Sequence, residues 1–201
     1  MKKLEFIAVD LQNDFATEGG KLYKPKPCTK FLDEVLFPYF REHDIKINEI
    51  VSDYRQPRPG SGRDCCCPGE WGYESLVPDD VRKSQWVKCT NSPIWIRENG
   101  GKKDTTPGAP YADSKAFGDW IEENIGSCEE VIPVIFGITI DCCVLCTVAE
   151  FRWRGYEPIV IREAVDHNTG NPEDRDIVLE KTAIRWWSKI MDWKEFEKIY
   201  S

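Results

Sequence analysis

Gly137-Ile138-Thr139-Ile140-Asp141-Cys142-Cys143-Val144 is the stretch on which the reading of this chain turns. It completes an apolar run from Val131 to Ile140, interrupted by Pro133 and Gly137, that predicts a buried strand over Val131–Gly137. Directly after it, Asp141–Arg154 has the pattern of a helix stopped by Gly155. Strand, glycine, short turn and helix make half of a β-α-β unit. The same alternation recurs outward in both directions. Toward the C-terminus come a strand at Glu157–Ala164, a helix at Glu173–Ser188, a short sixth strand at Ile190 and a closing helix at Trp193–Tyr200. Toward the N-terminus, Leu4–Leu11, Ile47–Tyr54 and Gln85–Thr90 predict strands. Thr29–Glu42 predicts a helix from the spacing of Phe31, Leu32, Val35, Leu36 and Phe40, and Ala112–Ile125 predicts another, ended by Gly126. Two long segments, Arg55–Lys83 and Asn91–Tyr111, carry turn residues and no clear period, which is the usual sequence of binding loops. Strands alternating with helices predict an α/β domain with a parallel sheet.

Composition narrows the function. The 201 residues are 41% hydrophobic, enough for a core in a single domain spanning 1–201. A net charge of −8, with basic residues scattered, argues against a nucleic-acid partner, whose phosphates demand clustered cations. No apolar run is long enough for a membrane span, and the start, Met1-Lys2-Lys3-Leu4-Glu5, lacks a signal core, so a cytoplasmic location is expected. The odd count of nine cysteines then predicts thiols rather than disulfides. Only two histidines, His43 and His167, are present, and neither lies in a metal-ligand spacing; no metal and no cofactor are expected.

Three residues stand at the C-terminal ends of predicted strands, where parallel sheets place their ligand crevice. Asp10 closes the first, Lys88 the third, and Cys143 follows the fourth. A cysteine in the first turn of a helix meets free N–H groups and the positive helix end, which favour its thiolate and can hold a developing oxyanion. An acid beside it can carry its proton, and a lysine can balance the two anions. Each position also has an ordinary reading: Asp10 as a turn residue, Lys88 as a solvated strand end, Cys143 as a small core residue.

Asp10-Leu11-Gln12-Asn13-Asp14-Phe15 resembles the opening motif of the isochorismatase-like cysteine hydrolases, a superfamily that includes nicotinamidases, N-carbamoylsarcosine amidase and ureidoacrylate amidohydrolases. Gly137 to Val144, with Ala149, Arg154-Gly155-Tyr156-Glu157 and Glu163-Ala164-Val165, resembles that family's nucleophile block. The resemblance spans Leu4 to about Val165. It implies a three-layer α/β/α sandwich with a mainly parallel five- or six-stranded sheet, and an Asp-Lys-Cys triad at Asp10, Lys88 and Cys143. It also implies a cis peptide at Ile138–Thr139 and an oxyanion hole from the amides of Thr139 and Cys143. The implied reaction is cleavage of a small amide-like substrate with water, by a protein expected to form homo-oligomers. Nicotinamidase is the alternative activity, and an idle member that binds ligands or senses redox state is a third.

This chain departs from the metal-dependent nicotinamidases: Asp53-Tyr54-Arg55 stands where they carry Asp-x-His. Arg55 is therefore a candidate substrate clamp, with a salt bridge to Asp53 or Glu74 as its plain alternative. Phe15 and Trp95 are candidate pocket walls or ordinary core, and Thr139 a further substrate contact. Lys115 is the alternative triad lysine. Cys142 and Cys146 read as packing residues, and Cys65, Cys66 and Cys67 as part of the first long loop. The Trp186-Trp187 pair reads as a subunit contact or as burial against the sheet.

Overall fold

The computed structural model describes residues 2–60 and 62–200. Met1, Ser61 and Ser201, which fall within the start, the first irregular segment and the domain range read above, lie outside the described residues. The chain begins with β1 (Lys3–Val9) and the short helix α1 (Asn13–Ala16), followed by α2 (Pro27–Phe31) and α3 (Phe37–Glu42), which are joined through a π turn at Leu32–Leu36. After β2 (Ile47–Ser52) and β3 (Arg82–Lys88) come a small hairpin, β4 (Trp95–Arg97) with β5 (Pro110–Ala112), and the helix α4 (Ser114–Asn124). The second half runs β6 (Val131–Ile138), α5 (Cys143–Trp153), β7 (Ile159–Asp166), α6 (Pro172–Lys181), α7 (Ile184–Trp187), β8 (Lys189–Met191) and α8 (Trp193–Tyr200).

Six strands form one parallel sheet in the order β3-β2-β1-β6-β7-β8. The two-residue period of β1 sends Phe6 and Ala8 to one face and Ile7 and Val9 to the other. Helices α4, α5, α6 and α7 cover the second face through Phe117, Val148, Leu179 and Ile184. Helices α2, α3 and α8 cover the first through Cys28, Phe40 and Phe196. Burial on both faces is why the central strands read as apolar runs rather than alternating ones. Phe6 makes edge contacts with Phe40 and Phe196 at 4.7 and 6.0 Å, each adding about 0.5–1.5 kcal/mol beyond the area it buries. This is the three-layer α/β arrangement expected from the sequence.

Three expectations change. The helix at Glu173–Ser188 is broken: Thr182 is extended, and α7 starts afresh at Ile184. In an unbroken helix Ile184 would stand about 140° from Leu179, so the break lets both face the sheet. The hairpin β4-β5 lies within the segment read as irregular, its strands too short to show a period. Strand β3 begins at Arg82 rather than Gln85, because an edge strand with half-exposed Arg82, Ser84 and Gln85 hides its start among polar residues.

Strand order reverses between β1 and β6. The crevice beyond their C-terminal ends therefore lies between Asp10 and the turn before Cys143. Gly137 lets β6 come this close: a Cβ there would stand 2.2 Å from the Val9 carbonyl oxygen, and its φ is +116°.

Candidate active site

Asp10 leaves β1 with φ +52°, a left-handed conformation that aspartate tolerates better than most side chains and that turns its carboxylate off the strand line. Gln12 then braces the exit. Its amide donates to the carbonyls of Ser52 and Tyr73, both at 3.0 Å, and its oxygen accepts from the Ser52 N–H at 2.7 Å. Asp14 ties two loops to the same corner by accepting from the N–H groups of Lys21 and Cys66 at 2.9 and 2.6 Å. The Asp10–Phe15 motif thus builds a rigid corner around one carboxylate.

Lys88 ends β3 with its side chain fully buried, and its ammonium reaches past β2 to donate to Asp10 Oδ2 at 2.8 Å. Strands are spaced about 4.8 Å apart, so crossing a neighbour takes a long side chain and a small residue between. Ser52, the register partner of Lys88 on β2, is that residue. Its hydroxyl accepts from Lys88 Nζ at 2.7 Å and donates to Asp10 Oδ1 at 2.9 Å. Lys88 Nζ also lies 3.4 Å from Cys143 Sγ and 3.3 Å from the Tyr54 hydroxyl. The three residues singled out as a triad come together.

Cys143 is the first residue of α5, so its N–H is one of the helix's free donors. The Ile138–Thr139 peptide is cis. Burial, then the Asp10 charge, push the Cys143 thiol well above its ordinary range, against the pull of Lys88. The helix start favours the thiolate, as expected, but burial and the Asp10 charge oppose it. Burial also works against the Lys88 charge, but its neighbours, the Asp10 carboxylate first among them, outweigh it and hold the ammonium well above its usual value. The resting state is a thiol beside an ammonium. The Tyr54 hydroxyl, kept protonated by burial, lies 3.2 Å from Cys143 Sγ and 3.1 Å from Asn91 Oδ1. Its single proton can serve either atom.

The group opens on a cavity of about 480 Å³, within the ordinary range for small-molecule sites. Phe15 and Thr139 line it, and Phe15 packs edge-on against Tyr54 at 5.9 Å. Two expected contacts are elsewhere. Trp95 lines an adjoining recess, which shares Tyr54, Asn91 and Arg63 with the main cavity. Arg55 does not line the cavity: its guanidinium pairs with Asp53 at 2.7 Å and donates to the Asp104 carbonyl at 2.7 Å. Its plain reading replaces the clamp, because a buried carboxylate two residues away takes the fork first. Lys115 is exposed and bonds to Asp119 at 2.6 Å, one helical turn on, away from the cavity.

Asp53, which the resemblance sets against the metal-binding Asp of nicotinamidases, is buried between Arg55 and Arg97, whose Nε lies at 3.1 Å. Two guanidiniums at one carboxylate do not fit a divalent cation. Among the described residues, no group of three or more His, Cys, Asp or Glu is placed to hold a metal. Cys65 and Cys66 are free thiols buried in the core, while Cys142 lines the main cavity and Cys146 the adjoining recess. Of the tryptophan pair, Trp186 is 71% exposed while Trp187 is half-buried against Trp153. Among the described residues, no helix is long and apolar enough to cross a membrane.

Sequence reasoning does not single out Ser52, Tyr54 or Asn91. Ser52-Asp53-Tyr54 leaves β2 at the same sheet edge as Asp10, and that was the available signal for the first two.

No protein-family model and no curated protein matches the sequence. Solved structures do resemble it. The chain is similar to an isochorismatase-like hydrolase from Alkaliphilus metalliredigens, with TM-score 0.70, 18% identity, and coverage of 100% of this chain and 99% of that one. It is similar to the pyrazinamidase of Pyrococcus horikoshii, solved in complex with zinc, with TM-score 0.64, 21% identity and coverage of 94% and 99%. N-carbamoylsarcosine amidase from Thermoplasma acidophilum gives TM-score 0.62, 20% identity and coverage of 94% and 96%. What is shared at these identities is the fold, and the fold is isochorismatase-like.

Proposed function

We propose that the protein is a cysteine-dependent amidohydrolase that cleaves the C–N bond of a small amide, ureido or N-carbamoyl compound. One observation carries this reading: Cys143 Sγ stands 3.4 Å from an ammonium that also holds Asp10, at the floor of a cavity.

In the proposed reaction the Cys143 thiol passes its proton to Asp10 as sulfur attacks the carbonyl carbon. The oxyanion that forms is held by the N–H groups of Cys143 and Thr139. Asp10 delivers the proton to the leaving nitrogen, the C–N bond breaks, and ammonia or an amine departs from a thioester. Water enters, Asp10 takes one of its protons, and the hydroxide attacks the thioester carbon. The C–S bond then breaks, the acid leaves, and the proton returns to sulfur. Lys88 stays charged throughout and offsets whichever neighbour is anionic. The Tyr54 proton turns from Asn91 to sulfur when the thiolate forms.

Resemblance in fold to a pyrazinamidase makes nicotinamidase the second reading. The commitment of Asp53 to two arginines weighs against its metal-dependent form. Ammonia release is to be measured across small amides, ureido acids, N-carbamoyl compounds and nicotinamide. A Cys143→Ala protein that still turned over the accepted substrate at the parental rate would sink the proposal.

A further inference from the structure

The cavity above Cys143 is basic in a protein of net charge −8. Its lining includes Lys21, Lys24, Lys26 and Arg63, and among the described residues its only carboxylate is Asp10, already held by Lys88. Lys21 is neutralised by Glu70 at 2.7 Å. Lys24 and Arg63 are exposed at the rim and form no ion pair with the described residues. Lys26 differs from these. It is 6% exposed, its ammonium donates to the Asn168 carbonyl at 3.1 Å, and it has no carboxylate in ion-pair range among the described residues. Lysine is rarely this buried without a carboxylate, and only one of its three protons is spent on a described group, with the ammonium lining the cavity.

The surroundings hold this cation in place without neutralising it. Gly170 packs so closely under the Lys26 segment that a Cβ there would lie 2.0 Å from the Pro25 carbonyl oxygen. Asp166, the acid that acts most on Lys26, accepts from the Cys28 N–H through Oδ2 at 2.6 Å and forms no ion pair with Lys26. Burial lowers the Lys26 pKa, with Asp166 and Asp141 opposing and Lys24 assisting, and burial raises that of Asp166. An ammonium in this setting gains from an anion that enters the cavity.

We infer that the substrate carries a carboxylate, received by Lys26 with Lys24 and Arg63 at the rim, while its amide-type carbonyl lies over Cys143. The substrate class is then an acid amide, ureido acid or N-carbamoyl acid rather than a neutral amide. This rests on the hydrolase reading above. A single ammonium facing the cavity matches one negative charge, and the two exposed cations draw anions toward the opening.

Two alkylating probes of similar size and opposite character test it: iodoacetate, an anion, and iodoacetamide, which is neutral. In both, the Cys143 sulfur displaces iodide, a C–S bond forms as the C–I bond breaks, and the thiol proton is released. Peptide mass spectrometry reads the rate at Cys143, and the same thiol in the denatured chain sets the reference ratio. The folded protein should favour iodoacetate about tenfold over that reference, an effect the size of one nearby charge. Lys26→Gln should remove most of the preference and Lys26→Arg keep it. Lys24→Gln and Arg63→Gln, exposed and readily tolerated, should each lower it about twofold, and added salt should do the same. A reactive Cys143 with a ratio at the reference value, or one unmoved by Lys26→Gln, overturns the inference alone. A Cys143 silent to both reagents across a pH series that reaches above its raised titration, where the denatured thiol reacts, removes the hydrolase reading and the inference with it. In turnover, N-carbamoylglycine should show a lower KM than its methyl ester, and Lys26→Gln should raise that KM more than it lowers kcat. Preference for the ester overturns the inference.

Discussion

Asp10 and Asp53 leave adjacent strands at the same edge of the sheet, both fully buried and both bound to cations. Their surroundings differ in what remains unspent. Asp53 meets two guanidinium forks whose other protons go to backbone carbonyls of Pro57, Gly108, Asp104 and Arg55. Every charge there is locked between loops, and the cluster acts as a staple. Asp10 meets an ammonium that also touches a hydroxyl, a phenol and a thiol, more partners than its three protons can serve at once. A buried ion pair is therefore not in itself a sign of chemistry. A shared proton set opening on a cavity is.

The largest expected effect comes at the thiol. Cys143→Ala should lower turnover by about 10⁴-fold or more while the fold survives, measured as ammonia release beside circular dichroism. Asp10→Asn should lower turnover by roughly 10³-fold, yet shift the Cys143 thiol in the opposite sense to that loss. The Asp10 charge helps raise the thiol pKa, so removing it should bring the midpoint of alkylation against pH down from above the ordinary thiol range. A midpoint that stayed or rose would show that Asp10 does not act on this sulfur. The staple should answer through stability instead. Arg97→Met breaks a buried pair and should cost about 3 kcal/mol of folding free energy in urea titration, with kcat per folded molecule within threefold of the parent. Loss of kcat at full stability would erase the distinction between the two carboxylates. Smallest of all, Lys115→Ala should leave melting temperature and turnover unchanged, since that lysine's bond to Asp119 is solvated.

How much of this could be read in advance follows from how local each feature is. The first strand, the turn before Cys143 and the helix after it are contiguous patterns, and they were legible. Asp10 and Cys143 came with them, as strand and helix ends. Lys88 could not be separated from Lys115, because the choice depends on which lysine a parallel register places beside Ser52. Arg55 was read toward the substrate when its own neighbour Asp53 had the stronger hold. Lys26 lay in Lys24-Pro25-Lys26-Pro27, a run with no period to mark it as buried, and its burial comes from the distant segment around Asn168 and Gly170.

By itself, the sequence determined the α/β alternation, the parallel sheet and the residue types at two strand exits. Side-chain period and glycine placement are short-range consequences of backbone geometry. Only the tertiary structure decided which cations are spent and which are free, whether the thiol rests protonated, and what charge the cavity offers a ligand. Those depend on desolvation and on contacts between segments tens of residues apart, and no local pattern encodes either.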